Sequence, residues 1–521
     1  MSTTTSPLPE LAVDPRKWYR HLNGYHWYVL AMCALGWLFD CADQQIFTAS
    51  RANALRDLMP GTTAEQQGNV SALVTMLFMV GWATGGLVFG TIGDKWGRAK
   101  TMALTVFLYA AFTGLSALAH SWQMFTLARF ATGFGVGGEF AAGASLVTDV
   151  MPPKARGPAL TMLQASSALG NILAAFMLGL TSKHFDTHLA WRYLYLIGAL
   201  PAVLAVGVMS WMKEPEKWVK ARADARVSGE LKKFGSLPDL FAHPRWRRNA
   251  LVGLALAVSG VIGLWGIGFY SPELIDATFP QMSVETGQKL TPLIANLNTP
   301  AAPAQIAALD GASTQALRDL LSRVAQHGQT FTGDLTSAHV TESQHQRMTA
   351  LFAKRMTPSE RDGLKSHALM LQQVGAFFGM LCAGIMAIRI GRRVTFALSF
   401  AAAWAAIVIV FLNFQHRSQI WTLYPFLGFC TLLPFGAYAI YFPEIFPTRL
   451  RSTGTGFCYN VGRYIAAFGP PMLMALRNQL SGRFETPAFR VAAVLVSSIF
   501  AIGIIAAFLG PETKGQPLPE D

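Results

Sequence analysis

Apolar residues in this chain come in long unbroken runs, not in the spaced stripes of a soluble helix. Twelve runs can be drawn, at about 26–48, 68–92, 101–119, 123–147, 158–181, 191–212, 249–270, 367–388, 394–413, 420–443, 453–476 and 488–509. Stretches of about 18 or more residues with almost no charge are long enough to cross the hydrocarbon of a bilayer as helices. Only helices and closed barrels satisfy their own backbone in lipid, and barrel strands alternate over about ten residues. The pattern therefore predicts an all-α membrane protein of twelve spans.

Two long polar intervals organise the runs. The segment 213–248, rich in Lys and Arg, divides them six and six and reads as a cytoplasmic linker between two bundles. The segment 271–365 lies between the seventh and eighth runs and reads as an insertion outside the membrane. Within it, Leu317, Leu320, Leu321 and Val324 share a helical stripe, and Thr357-Pro358-Ser359-Glu360 has the form of a capping box with proline at the first helical position. A small helical cap is expected there; its His327, His339 and His345 lack metal-ligand spacing. The expected organisation is a tail at 1–25, a first bundle at 26–212, the linker, a second bundle at 249–509 and a tail at 510–521. With an even number of spans, both tails share the cytoplasmic side.

The halves repeat weakly. Gly90 and Gly97 lie seven apart after the second run, as do Gly384 and Gly391 after the eighth, each pair followed by bases. After the fourth run stands Pro153-Lys154-Ala155-Arg156-Gly157, and after the tenth Pro443-Glu444-Ile445-Phe446-Pro447-Thr448-Arg449-Leu450-Arg451. Parallel repeats of this kind mark two bundles related by an axis along the membrane normal, with a solute site between them near mid-depth.

Composition agrees: 52% of the 521 residues are hydrophobic and only 14% charged, against about 25% in soluble domains. The net charge of +13 sets topology and does not indicate nucleic-acid binding. Outside the insertion, the expected cytoplasmic segments hold 24 Lys and Arg and the opposite side 8, a positive-inside bias. All five cysteines fall in the runs, so no disulfide framework is indicated. The N-terminal stretch is polar, with Arg16, Lys17 and Arg20 before the first run, and reads as a retained tail, not a signal peptide.

The informative residues are the charges inside the runs, because each costs about 2.5–3.5 kcal/mol at bilayer depth on the mildest scale. Asp40 and Asp43 share a face of the first helix, one turn apart, where they either titrate in a cavity or lie solvated at its outer end. Arg463 lies deep in the eleventh run. Its planar fork suits a carboxylate, although a standing pair with Glu139 or Asp43 is the alternative. Arg129 and Glu139 are ten residues apart on the fourth helix, too far to pair, and Gly133, Gly135, Gly137 and Gly138 between them permit close helix approach. Candidate cavity groups are Gln164, Asn171, Trp265, Tyr270, Gln372, Gln373, Tyr438, Tyr441, Tyr459 and Asn460, most of whose aromatics are expected in helix contacts.

These residues carry a resemblance. Gly90, Asp94, Lys95, Gly97, Arg98 and Lys100 match the first-loop signature of the major facilitator superfamily, and Arg129 with Gly133, Gly135, Gly137 and Gly138 match its fourth-helix pattern. The chain resembles that superfamily over its whole length except the insertion, with Ile388 where the second half would repeat Asp94. Within it, Asp40-Cys41-Ala42-Asp43, Gly137-Gly138-Glu139 and Arg451-Ser452-Thr453-Gly454 with Arg463 are similar to proton-coupled carriers of aromatic acids, sialic acid and nicotinate, with Cys41 in place of a usual glycine. Pro511-Glu512-Thr513-Lys514-Gly515 is similar to the terminal signature of sugar porters.

The resemblance implies a monomeric carrier in the inner or plasma membrane, symporting a small organic anion with protons. Asp40, Asp43, Arg129 and Glu139 would serve proton coupling. Arg463, Gln164, Gln372, Tyr438 and Asn460 would bind solute. Asp94, Arg98, Arg156, Glu444 and Arg449 would form the inner gate. Rival readings are a sugar or polyol carrier and a membrane sensor that does not transport. No nucleophile, metal or phosphate-loop pattern suggests an enzyme, and no cofactor is implied.

Overall fold

The computed structural model of the protein describes residues 17–184, 190–199, 211–267, 271–279, 358–467, 476, 479–480 and 488–520. The helical cap, its three histidines and Tyr270 lie outside the described residues, as does the side chain of Trp265.

Long helices follow the apolar runs: α1 (Gly24–Leu58), α2 (Ala64–Trp96), α3 (Arg98–Ala117), α4 (Trp122–Val150), α5 (Pro153–His184) and α6 (190–199). The linker carries α7 (Glu216–Val227) and α8 (Leu237–Ala242). The second half comprises α9 (Pro244–Gly266), α10 (Ser271–Thr278), α11 (Pro358–Ile390), α12 (Arg392–Asn413), α13 (Ile420–Glu444), α14 (Arg451–Ala466), α15 (Ala488–Val496) and α16 (Phe500–Leu509). No strand occurs among the described residues. Residues 358–365, counted with the insertion on sequence, continue α11.

Eight of these segments are long and apolar enough to cross a membrane. α1 and α4, which are longer than many of these, are not among the eight, and both carry charges buried deep within them, Asp40 and Asp43 on α1 and Arg129 and Glu139 on α4. Phe107, Leu127, Phe176, Phe378 and Ile505 are exposed, whereas Asp40, Asp43, Arg129, Glu139 and Arg463 are buried. Apolar side chains thus face the lipid position and the ionisable ones face inward.

In the first half α2 and α3 both lie along α4, and α1 lies along α5; in the second, α11 and α12 flank α13. The halves meet where α2 lies along α14 and α5 along α11. The sequence repeat exchanges these two contacts, as expected for pseudo-symmetric bundles.

Glycine sets the separation of α2 and α4. A Cβ on Gly137 would stand 2.0 Å from the Trp82 carbonyl oxygen, and one on Gly133 2.3 Å from that of Phe78. The contact is backbone to backbone and cannot yield by a rotamer change. Gly137→Ala is expected to destabilise the first bundle by about 1–3 kcal/mol. Loss of the monodisperse peak in detergent size exclusion checks this; an unaltered profile and melting temperature would contradict it.

Candidate functional site

Three groups of buried polar residues lie within and between the bundles. The first closes one end. Asp94, at the end of α2, accepts hydrogen bonds from the backbone N–H of Ser452 (3.1 Å) and Thr453 (2.8 Å) and from Thr453 Oγ1 (2.8 Å). A carboxylate of the first bundle therefore caps the N-terminus of α14 in the second, where the helix dipole favours negative charge. Arg98 reaches Asp94 Oδ1 at 3.3 Å, the Thr448 carbonyl at 2.6 Å, and Asp149. Arg451 meets Asp149 from the other side. Asp94, Arg98, Asp149 and Arg451 thus form one ionic latch between the bundles.

The other residues expected at the gate lie around this latch. Arg156 donates to the Thr148 carbonyl at 2.9 Å within its own bundle. Glu444 takes both arms of Arg392, at 3.0 and 2.8 Å, within the second bundle. Arg449 binds Asp239 of the linker at 2.6 Å. From α7, Trp218 Nε1 donates to the Asp94 carbonyl at 2.8 Å. Lys217 beside it is held below the usual lysine value by burial and by the charges of Arg156 and Arg451.

Two glutamates given no gate role on sequence finish this end. Glu214 accepts from the backbone N–H of Arg98, Ala99 and Lys100 at 2.7, 3.3 and 3.1 Å, capping α3. Glu512 accepts from Arg392 and Arg393 at 2.9 and 3.1 Å, capping α12 in the same way. Gly97 and Gly391 precede these helices with φ of 125° and 95°, the left-handed region that glycine favours. Burial pushes the Glu512 carboxyl up. Hydrogen bonds from three backbone N–H groups and the charge of Arg392 outweigh this and hold it below its ordinary 4.5. Its contribution is therefore complete above the unfolded value and lost as the pH falls through the lower folded one. Glu512→Gln is expected to cost about 1 kcal/mol at neutral pH. In thermal unfolding scans the gap from the parent protein should close below pH 4.5; a gap that persists in acid would contradict the account.

The second group is a saturated ion pair. Arg129 binds Asp43 at 3.2 Å, Ser116 at 2.9 Å, Thr113 at 3.1 Å and Thr132 at 2.9 Å, and its guanidinium lies 4.7 Å from the Tyr195 ring centre. Thr113 also donates to Asp43 at 2.6 Å. The pair joins α1 to α4.

The third group lies between the bundles at mid-depth. Arg463 donates from Nη1 to the Tyr459 carbonyl (2.7 Å) and to Asn460 Oδ1 (2.6 Å). Its guanidinium carbon stands 4.1 Å from the Trp82 ring centre and 4.6 Å from that of Tyr459. Trp82 belongs to α2, so this cation–π contact crosses the interface. Tyr459 stacks on Phe140 of the first bundle at 4.2 Å and lies 6.3 Å from Trp37. Asn460 Nδ2 reaches the Gly137 carbonyl of α4 at 3.3 Å.

Asp40 and Glu139 are not in the Arg129 pair; they lie where α1 meets α4. Glu139 Oε1 is 2.3 Å from where a Cβ on Gly36 would stand, one turn of α1 from Asp40. Both carboxyls are 1% exposed. Their oxygens, with Trp37 Nε1, Gln164 Oε1 and Arg463 Nε, have no hydrogen-bond partner among the described residues. Leaving such a group unsatisfied costs about 1–3 kcal/mol, so a cluster of five needs an explanation.

Two candidate solute ligands have other engagements. Gln372 Oε1 accepts from Ser271 at 2.7 Å. The Tyr438 hydroxyl donates to the Leu256 carbonyl at 2.5 Å, and its ring stacks on Phe442 within the second bundle. Trp37, Tyr459 and Trp82 are the aromatic rings gathered with Arg463 at mid-depth.

Comparison with known proteins fits this architecture. The family model for the Major Facilitator Superfamily matches residues 51–303. A probable 4-methylmuconolactone transporter of Cupriavidus pinatubonensis is 23% identical over 96% of this chain and 93% of its own length. The cis,cis-muconate transport protein of Acinetobacter baylyi is 24% identical over 95% of this chain and 97% of its own. Among solved structures, the E. coli proton:xylose symporter XylE superposes with a TM-score of 0.65 at 14% identity, over 95% of this chain and 98% of that chain. At that identity the likeness carries the fold alone, twelve spans in two bundles.

Proposed function

We propose that the chain is a multi-pass membrane transporter of the major facilitator superfamily and that it carries a small organic anion together with protons. The observations that carry this reading are a guanidinium, Arg463, held against aromatic rings where the bundles meet, and two buried carboxyls on α1 and α4, Asp40 and Glu139, with no hydrogen-bond partner among the described residues. Arg463 presents its fork to the solute carboxylate, and Trp82, Tyr459 and Trp37 form flat apolar walls suited to a planar, unsaturated acid.

Asp40 and Glu139 carry the protons, because a buried carboxyl without partners is far less costly neutral than charged. Asp43 stays with Arg129 as the joint between α1 and α4. The ionic latch holds one face shut while the other opens, and rocking of the bundles exchanges the two states. The protein works as a monomer in the inner or plasma membrane, with the latch on the cytoplasmic side.

A thermal-shift screen of the purified protein tests the solute class. Benzoate, nicotinate and cis,cis-muconate are expected to stabilise it, and neutral sugars and polyols are not. Stabilisation by sugars alone would overturn the reading. The sugar-porter-like terminal signature does not argue for a sugar, because its Glu512 is committed to capping α12.

A further inference from the structure

A groove of about 560 Å³ runs along the linker helix α7, lined by Trp218, Val219, Arg222, Ala223 and Arg226 and closed by Leu231. Trp218, Arg222 and Arg226 recur every four residues and so share one face of the helix. The Arg222 guanidinium lies 5.0 Å from the Trp218 ring centre, which leaves its N–H edge open. Neither arginine side chain has an ion pair or a hydrogen bond among the described residues. No carboxylate lines the groove among those residues. Glu230 is paired with Lys233, and Asp224, two residues from each arginine, projects from the other face of α7.

Both walls of the groove bridge the two halves of the molecule. Trp218 Nε1 donates to the Asp94 carbonyl of the first bundle at 2.8 Å, while α7 also packs on the turn Thr448–Leu450 that leads into α14. The turn Leu231–Lys233 and the residues after it are wedged where the halves meet. A Cβ on Gly235 would stand 2.4 Å from the Thr91 carbonyl oxygen of α2, and the Gly235 N–H donates to the Arg449 carbonyl at 3.0 Å. The groove is thus assembled in the latched state, and a ligand that fills it favours that state.

Two unpaired guanidiniums one turn apart suit a phosphate, whose oxygens accept from both forks. The exposed apolar side chains beside them, Val219, Val227 and Leu231, select an amphipathic ligand over a free anion. The sixth apolar run ends near residue 212 and α7 starts at Glu216, with the exposed Trp211 just before it, a residue type that anchors at the membrane surface. The segment 213–248 holds ten Lys and Arg against five Asp and Glu, which complements an acidic leaflet. Topology alone requires that charge but not its alignment in a groove with apolar walls. We infer that α7 carries a binding site for an anionic phospholipid of the cytoplasmic leaflet, with Arg222 and Arg226 holding its phosphate, and that the bound lipid favours the latched state.

The test reads the distance between spin labels on Trp96→Cys and Ile390→Cys, exposed at the latch ends of α2 and α11, in nanodiscs of phosphatidylcholine with increasing phosphatidylglycerol. The shorter, latched distance should gain population as phosphatidylglycerol rises. Arg222→Gln and Arg226→Gln should each raise the fraction needed for the half-maximal shift about fivefold, the effect of one basic residue at an acidic surface. Lys220→Gln and Lys232→Gln remove the same charge outside the groove and should leave that fraction near the parent value. Equal effects in all four variants would show diffuse surface charge and overturn the site. Inorganic phosphate added to phosphatidylcholine nanodiscs should change nothing; a shift by phosphate alone overturns the lipid assignment. Native mass spectrometry of the detergent-purified protein needs no movement of the bundles. The parent should retain phosphatidylglycerol over phosphatidylcholine, and the Arg222→Gln/Arg226→Gln protein should lose that preference. A parent without the preference, or a doubly substituted protein that keeps it, overturns the inference. None of these outcomes depends on which solute is carried.

Discussion

Arg463→Ala is expected to abolish measurable carboxylate uptake, and Arg463→Lys to weaken apparent affinity at least about tenfold. The guanidinium is fixed by the Tyr459 carbonyl and Asn460, and it lies near the faces of Trp82 and Tyr459. Truncating one partner of a buried, hydrogen-bonded charge pair costs about 2–5 kcal/mol, which is about thirtyfold to several thousandfold in affinity. Lysine keeps the charge but loses the planar fork and the ring contacts, so its variant should fall between. KM and Kd for cis,cis-muconate, measured on variants with unchanged size-exclusion profiles, decide the matter. Parent-like affinity in the lysine variant would remove Arg463 from solute binding.

Asp94→Asn is expected to unlock the closed end. Asp94 is the only acid of the latch that also caps α14, and three of its hydrogen bonds come from Ser452 and Thr453 of the opposite bundle. An asparagine cannot accept at both side-chain atoms and leaves Arg98 with one acid in place of two. Breaking a buried pair in this way costs about 3–5 kcal/mol. Most of that falls on the closed state alone, so its population should drop by about a hundredfold or more. Spin labels on Trp96→Cys and Ile390→Cys, exposed positions at the latch ends of α2 and α11, report the distance between the bundles. A shift toward longer distances with a reduced maximal rate is expected; an unchanged distribution would show that the latch does not hold the halves together.

The helices were legible in the sequence because lipid leaves a long apolar run almost no other structure. Their ends were less so. The first run stops at about residue 48, yet α1 continues to Leu58, since Arg51 bonds Thr75 of α2 and Asp57 pairs with Arg192 at 3.3 Å. Past the hydrocarbon, polar contacts and not apolarity sustain the helix.

The buried charges were equally legible, but their partners were not. Asp40 and Asp43 are one turn apart and look equivalent, yet Asp43 meets Arg129 whereas Asp40 lies toward Glu139, a division that only the placement of α1 against α4 determines. Trp82 carried no sign of its contact with Arg463, because association of the bundles brings α2 against α14. Other residues had a signal that the repeat could have yielded. Asp149 precedes Arg156 by seven residues, as Glu444 precedes Arg451. Glu214 and Glu512 each stand beside a proline just after the last span of their half. These paired positions mark both helix caps and the acid that joins Arg98 to Arg451.

The most direct test of the account is accumulation of radiolabelled cis,cis-muconate in proteoliposomes under an imposed inward proton gradient, with and without an uncoupler. The account predicts uphill accumulation that the uncoupler abolishes, and Asp40→Asn and Glu139→Gln proteins that still exchange solute downhill but no longer concentrate it. Accumulation that survives the uncoupler, or that persists in the doubly substituted protein, would contradict it.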